Sequence, residues 1–146
     1  MKLNIKDASG KIIVSQDFTN NSIRANLEQD YFHTLDVDNP KLWSLDDPNL
    51  YTLETQIISE GKILDTYETS IGIRTIHFDP NKGFFMNGKS IKIKGVNNHQ
   101  DHAGVGAAMP DVLQDFRIKT LKSFGSNAYR CSHNVPTPEL LEACDR

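Results

Sequence analysis

Two strand-like stretches in the second half of the chain end in polar side chains, and a helical pattern follows each. Residues 91–99 (IKIKGVNNH) run from alternating apolar positions into a polar end, and residues 127–133 (NAYRCSH) do the same. From Asp111 the apolar positions recur at helical spacing, and Thr137 with Pro138 is a typical helix start. Strand, helix, strand, helix is the order that begins a parallel βαβα unit. In a (β/α) barrel, functional side chains lie at these C-terminal strand ends.

The first half of the chain alternates apolar and polar residues, which predicts short antiparallel strands separated by turns. A complete immunoglobulin-like sandwich has about seven strands in roughly 100 residues, so we expect an incomplete sandwich whose missing strands would precede Met1. We interpret Trp43, in a loop with two prolines, as a core residue, with sugar stacking as the alternative. The predicted strands cover residues 3–6, 11–15, 31–37, 50–57 and 63–74.

The pattern changes near Arg74, and this change defines the predicted fold class, β sandwich plus α/β. We expect an incomplete immunoglobulin-like sandwich over residues 1–76 and the first two βα units of a TIM (β/α)8 barrel over residues 77–146. Asn87 and Gly88 predict a tight hairpin within the second part. A barrel closes only with eight units in about 250 residues, so the predicted barrel domain is truncated.

Composition and charge exclude several classes of partner. The net charge of -3, from 16 basic and 19 acidic residues, is too mild to indicate nucleic acid or an anionic membrane. No apolar run approaches the roughly 20 residues that span a bilayer, and the N-terminus lacks the apolar core of a signal peptide. Cytoplasmic, periplasmic and secreted locations stay open, as does oligomerisation. Cys131 and Cys144 are interpreted as buried, reduced thiols.

Several motifs, in order along most of the chain, resemble glycoside hydrolase family 2, the β-galactosidase and β-glucuronidase group. The RCSH run at residues 130–133 is closest to the β-galactosidases of that family. The sequence departs at Asn98 and Gln100, where β-galactosidases often have Arg and Glu, and at residues 134–136 (NVP), where the family usually has Tyr-Pro. The matching segments are residues 39–51 (NPKLWSLDDPNLY), 72–74 (GIR), 85–89 (FMNGK), 94–99 (KGVNNH), 127–133 (NAYRCSH) and 144–146 (CDR).

The resemblance implies part of a retaining glycoside hydrolase acting on β-linked sugars. A β-galactosidase is the first expectation, with a β-glucuronidase or another family 2 glycosidase as the alternative. Retention of configuration requires two carboxylates about 5–5.5 Å apart, one as nucleophile and one as general acid and base. In the family both are glutamates on later barrel strands, beyond residue 146. We therefore expect no catalytic residue in this chain and no hydrolysis by it alone.

The resemblance also implies a substrate-binding role for His99, Arg130 and His133. The two imidazoles would line the subsite of the non-reducing sugar, since neutral histidine both donates and accepts hydrogen bonds. The guanidinium of Arg130 would orient the nucleophile by a two-pronged contact with its carboxylate. A carbohydrate is thus the expected partner of the full-length enzyme, and neither a cofactor nor a metal site is expected.

Two alternatives stay open at this point. One is a zinc site, because imidazole and thiolate groups are the ligands that zinc prefers. Its candidate ligands are His99, His102, Cys131 and His133. The other is a non-catalytic carbohydrate-binding or interaction module, which would need an exposed aromatic platform. The aromatic candidates for that platform are Tyr31, Phe32, Trp43 and Tyr51.

Overall fold

The chain divides into two compact units. No helix among the described residues is long and apolar enough to cross a membrane. The computed structural model describes residues 1–19 and 21–146. The first unit comprises Met1–Trp43 and Asn49–Ile73, and the second comprises Ser44–Pro48 and Arg74–Arg146.

The first unit contains a four-stranded antiparallel sheet with the strand order β2-β1-β3-β4. Its strands are β1 (Lys2–Lys6), β2 (Ile12–Asp17), β3 (Leu50–Ser59) and β4 (Lys62–Gly72). Glu60 and Gly61 connect the two long strands, and both have positive φ (50° and 75°). Positive φ at both central residues is the geometry of a type I′ hairpin turn. Four of the five predicted strands are therefore confirmed, with small shifts at their ends.

The fifth predicted strand, residues 31–37, is wrong. Every second residue from His33 to Val37 is less exposed than its neighbours, so the alternation is real. However, the segment forms no ladder with any strand of the described chain. The ring of His33 instead stacks on Phe18, with centroids 3.7 Å apart. Alternation predicts an extended backbone with one buried face, but it does not supply a neighbouring strand to pair with.

The core of the first unit lies around the central strand β1 and the segment before β3. Leu3, Ile5, Trp43 and Tyr51 each expose less than a tenth of their surface. The indole of Trp43 packs so closely on Gly72 that a Cβ there would lie 3.0 Å from the Trp43 Cβ. The interpretation of Trp43 as a core residue is confirmed, and its burial leaves no open face for stacking on a sugar.

The second unit begins with a three-stranded antiparallel meander. Asn87 and Gly88 both have positive φ (51° and 75°), which confirms the predicted tight hairpin turn. The side-chain carbonyl of Asn87 also accepts a hydrogen bond from the Thr75 N–H at 3.0 Å, so the turn residue fastens the start of the meander. The strands are β5 (Ile76–Asp79), β6 (Gly83–Met86) and β7 (Lys89–Ser90).

Two βα units follow, as the sequence pattern predicts. The two strands are parallel neighbours in one sheet, in the register Gly95 opposite Ala128 to Asn98 opposite Cys131. Parallel pairing of strands with a helix between them is the arrangement that starts a (β/α) barrel. The elements are β8 (Gly95–Asn98), α1 (Asp111–Ser123), β9 (Ala128–Cys131) and α2 (Pro138–Asp145).

The strand predicted over residues 91–96 begins only at Gly95 and runs on to Asn98, and the residues before Gly95 contact the side chain of Asn127 instead. The amide of Asn127 accepts from the Lys94 N–H at 2.8 Å and donates to the Lys92 carbonyl at 3.0 Å. The Lys94 carbonyl also accepts from the N–H groups of Asn127 and Ala128 at 2.8 and 3.1 Å, so Asn127 holds this segment by its side chain and its main chain. Gly95 then brings the strands close together, since a Cβ there would lie 2.5 Å from the Ala128 carbonyl oxygen.

Helix ends follow the predicted signals. Gly125, at φ 83°, donates its N–H to the Lys122 carbonyl at 2.9 Å, and Ser126 donates to the Leu121 carbonyl at 3.1 Å. This pair of bonds is the Schellman motif that ends many helices. At the start of α2, the Thr137 hydroxyl accepts from the N–H three residues on at 3.4 Å.

The two cysteines are free thiols, but they are not buried as predicted. Cys131 is half-buried and Cys144 is exposed. Helix α2 buries Leu140 and Ala143 instead, which places the neighbouring Cys144 at the edge of the packed face. Partial desolvation still raises the pKa of the Cys144 thiol above its usual range.

Candidate functional site

Strands β8 and β9 end side by side. Their last ladder pair is Asn98 opposite Cys131, and one step beyond it the Ser132 N–H donates to the Asn98 carbonyl at 2.9 Å. Because the strands are parallel, both carboxyl ends lie at the same edge of the sheet. His99, the first residue after β8, and His133, the second residue after β9, are therefore neighbours, as the two sequence motifs predict.

The two imidazoles lie close to each other and face solvent. The ring centroids of His99 and His133 are 6.1 Å apart, and the rings are tilted by 51°. Both residues are exposed, and within the described chain no nitrogen of either ring has a hydrogen-bond partner. Their donors and acceptors are thus available to an external polar group.

His133 has a left-handed backbone, with φ 62°. This region is sparsely populated by residues with a side chain, although histidine enters it more often than most, and it costs of the order of 1 kcal/mol. Strained backbone of this kind is concentrated at functional sites. Here it occurs one residue after Ser132, which is buried and hydrogen-bonded to the end of β8.

Arg130 lies one ladder step before the strand ends. It stands opposite Asn97, and its Nη1 donates to the Asn97 side-chain oxygen at 3.4 Å. The residue is exposed, so this long contact leaves most of the five guanidinium N–H donors facing solvent. Such a fork matches the two oxygens of a carboxylate. The structure thus places Arg130 on β9, and His99 and His133 just beyond the carboxyl ends of β8 and β9.

Arg117 on α1 belongs to the same region and is absent from the sequence-based candidates. Its Nη1 donates to the His99 carbonyl at 2.8 Å and to the Tyr129 hydroxyl at 3.3 Å. Its Nη2 donates to the Asp101 carbonyl and lies 3.4 Å from the Nδ1 of His102. One guanidinium thus holds the segment after β8 against the helix and against β9.

A sequence signal for Arg117 does exist. It lies four residues after Leu113 and four before Leu121, in the middle of the predicted apolar stripe of this helix. A charged residue in such a stripe must find partners when the stripe packs, because burial of an unpaired charge is costly. Apolar periodicity alone does not mark this position.

The zinc alternative receives no support from the geometry. Over residues 1–19 and 21–146, no group of three or more His, Cys, Asp or Glu side chains is arranged to hold a metal ion. The Nδ1 of His102 faces the guanidinium of Arg117, whose positive charge opposes a cation there.

Four carboxylates of the second unit lie together on its two helices. They line a cleft of about 330 Å³, in which Arg146 pairs with Asp115 at 2.8 Å. The hydrogen bond from Arg146 lowers the pKa of Asp115 below its usual range. This contact joins the end of α2 to α1, so we assign it a structural role. The cleft is lined by Asp111, Val112, Asp115, Glu139, Glu142 and Arg146.

Family profiles match both units. The profile of Glycosyl hydrolases family 2 matches residues 1–74, and the profile of Glycosyl hydrolases family 2, TIM barrel domain, matches residues 80–146. The expected fold class, an incomplete sandwich followed by the start of a TIM barrel, is confirmed by these matches and by the strands and helices described above.

Individual relatives match most of the chain. Beta-galactosidase BoGH2A of Bacteroides ovatus is 40% identical over 142 residues, which are 97% of this chain and 17% of that protein. A beta-glucuronidase of Bacteroides fragilis is 32% identical over 111 residues, 75% of this chain and 16% of that protein. The crystal structure of a glycosyl hydrolase family 2 member from Bacteroides cellulosilyticus has a TM-score of 0.87 at 38% identity, covering 99% of this chain and 19% of that one. The chain thus spans less than a fifth of the length of these relatives.

Proposed function

The chain belongs to glycosyl hydrolase family 2, and we propose that it forms one wall of the sugar subsite in a longer, retaining β-glycosidase. The observation that carries this proposal is the meeting of His99, Arg130 and His133 at the carboxyl ends of two parallel strands. Active sites of (β/α) barrels lie at that end of the strands.

Each of the three side chains has a proposed role that follows from its chemistry. The exposed imidazoles of His99 and His133 donate to and accept from neighbouring hydroxyls of the non-reducing sugar. The guanidinium of Arg130 binds the carboxylate of the nucleophile, which fixes its direction and keeps it ionised. These groups bind and orient a substrate, and none of them breaks the glycosidic bond.

Bond cleavage therefore needs residues outside this chain. A retaining enzyme uses one carboxylate to attack the anomeric carbon and a second to protonate the leaving oxygen, with the pair about 5–5.5 Å apart. The strand ends described here provide imidazole and guanidinium groups instead. We propose that two glutamates from later barrel strands complete the site, and that the 146-residue chain alone is inactive.

β-Galactosides are the first candidate substrates, and β-glucuronides are the second. The RCSH run at residues 130–133 and the similarity to BoGH2A favour the first. The replacement of the arginine common in β-galactosidases by Asn98, together with the similarity to a beta-glucuronidase, favours the second. Asn98 is the last residue of the β8 ladder and directly precedes His99.

The test compares this chain with the full-length protein that contains it, using 4-nitrophenyl β-galactoside and β-glucuronide. We expect the full-length protein to release nitrophenol, faster from the galactoside, with the β-anomer as the first product by proton NMR. The isolated chain should release no more than a buffer control. Hydrolysis by the chain alone, or an α-anomer as the first product, would contradict the proposal. Glycan binding by the full-length protein without any turnover would favour the binding-module alternative.

A further inference from the structure

The segment after β8 folds into a short turn of its own. His102 and Gly106 exchange both backbone hydrogen bonds, at 3.0 and 2.9 Å, and the Val105 N–H also donates to the His102 carbonyl at 3.2 Å. Gly104 and Gly106 have positive φ (88° and 59°), which only glycine adopts without strain. These bonds fix the shape of the turn. They do not fix its position relative to His99, which depends on a contact from outside the turn.

Arg117 provides that contact. Its two terminal nitrogens donate to the main-chain carbonyls of His99 and Asp101, which precede the turn. The same guanidinium lies 3.3 Å from the hydroxyl of Tyr129 on β9. A planar guanidinium holds several acceptors in one fixed geometry, which a flexible ammonium group cannot do.

We propose that Arg117 is a positioning residue for the sugar subsite, because it fixes the main chain that carries His99. The inference rests on the proposed binding role of His99 and adds to it a residue of the helix. Ordering a flexible side chain during binding costs free energy, and a backbone fixed in advance avoids that cost. Arg117 thus acts through His99 and does not touch the sugar itself.

The contact with His102 strengthens the arrangement. An arginine guanidinium can only donate hydrogen bonds, so the His102 Nδ1 at 3.4 Å must be the acceptor. This places the proton of neutral His102 on Nε2. The first residue of the turn is thereby held by its side chain as well as by the neighbouring carbonyl of Asp101.

A double-mutant cycle in the full-length protein tests the proposal through kcat and KM. We expect Arg117→Gln to lower kcat/KM about tenfold, with much of the loss in KM, and we expect little further loss in a His99→Ala background. Arg117→Lys keeps the positive charge but not the fork, so it should behave like Arg117→Gln. Losses that multiply, so that Arg117→Gln costs the same factor with and without His99, would overturn the proposal. Full activity of Arg117→Lys would overturn it as well.

Hydrogen exchange measured by mass spectrometry provides a second readout that needs no substrate. In Arg117→Gln and Arg117→Lys, the amides of residues 99–106 should exchange faster than in the wild type. Lys122→Gln, which removes a charge from the same helix away from the turn, is the matched control and should leave them unchanged. Unchanged exchange in both Arg117 variants would refute the inference, whatever the substrate of the enzyme. Faster exchange in a protein without glycosidase activity would instead count against the proposed function alone.

Discussion

In the sheet of the first unit, a lysine and two carboxylates satisfy one another, whereas at the ends of β8 and β9 the polar side chains face solvent. Lys6 lies 2.5 Å from Glu54 and 2.8 Å from Glu68, which stand directly opposite each other on β3 and β4. Asn4 and Gln56 complete the cluster with hydrogen bonds to Glu54 at 2.7 and 3.1 Å. These side chains are partners of one another, and the cluster has a structural role.

The strand ends of the second unit have the opposite character. The imidazoles of His99 and His133 are exposed, their ring planes are inclined by 51°, and the main chain of His133 is in the left-handed region. On helix α1 the half-buried Arg117 holds the main chain of His99 and Asp101 and leaves the imidazoles of His99 and His133 uncontacted. Comparison of the two regions shows how a polar cluster that stabilises a fold differs from one that is available to a ligand.

The largest expected difference between the units is the loss of stability when a closely packed glycine is replaced by alanine. Gly95→Ala places a Cβ 2.5 Å from the Ala128 carbonyl oxygen, and backbone cannot move aside without breaking the β8–β9 ladder. We expect a loss of about 3 kcal/mol in the free energy of unfolding of the second unit, since overpacking against backbone is at the upper end of such costs. Denaturant titration of the chain, followed by hydrogen exchange of residues 95–98 and 128–131, measures it.

Gly72→Ala is the matched variant in the first unit. Its Cβ would lie 3.0 Å from the Trp43 Cβ, a contact that a shift of a few tenths of an ångström relieves, whereas the 2.5 Å contact at Gly95 needs a larger shift. We expect a cost of about 1 kcal/mol. A cost for Gly72→Ala as large as that for Gly95→Ala would show that the parallel pair is no tighter than the packing of Trp43. Adding Ala128→Gly to Gly95→Ala should not restore stability, because the closest atom is the carbonyl oxygen.

A smaller effect is expected at the start of α2. Thr137→Ala removes the side-chain cap of this eight-residue helix, and we expect a loss of about 1 kcal/mol. Thr137→Ser keeps the hydroxyl and serves as the control. Equal melting temperatures of the alanine and serine variants would show that Pro138, already at the first helical position, is sufficient to start the helix.

The smallest expected effect is a pH dependence that belongs to the sheet. The hydrogen bond from Lys6 lowers the pKa of Glu54 below its usual value of 4.5. The unfolded chain therefore takes up the proton first as the pH falls, so the stabilisation is present above about pH 4.5 and is lost below it, through the folded pKa. Glu54→Gln should flatten the acid side of the stability curve, whereas Glu28→Gln should not. The same curve for both variants would contradict this account.

Much of the fold follows from local signals in the sequence, and the misses have physical causes. The hairpin at Asn87, the helix end at Gly125 and the helix start at Thr137 depend on the chemistry of one or two residues, and all three are confirmed. The strand predicted over residues 31–37 depends on a partner elsewhere in the chain, which alternation alone does not reveal.

The candidate site was only partly predictable for the same reason. The motifs at the two strand ends predict that His99 and His133 meet, because parallel strands align their carboxyl ends. Arg117, by contrast, binds the main-chain carbonyls of Asp101 and His99, which lie 16 and 18 positions before it in the chain. Carbonyl groups are present at every position and carry no sequence signal. The single local sign of these contacts is the charge of Arg117 within the apolar stripe of its helix.

The most direct test of the sugar-subsite proposal is the kcat/KM of His133→Gly in the full-length protein, measured with its best β-glycoside. Glycine adopts the left-handed backbone of this position without strain, so the fold should melt at or above the wild-type temperature while the imidazole is lost. We predict a fall in kcat/KM of about 100-fold, as for removal of a hydrogen-bonding group that acts in the transition state. An unchanged kcat/KM in the folded variant would contradict the account.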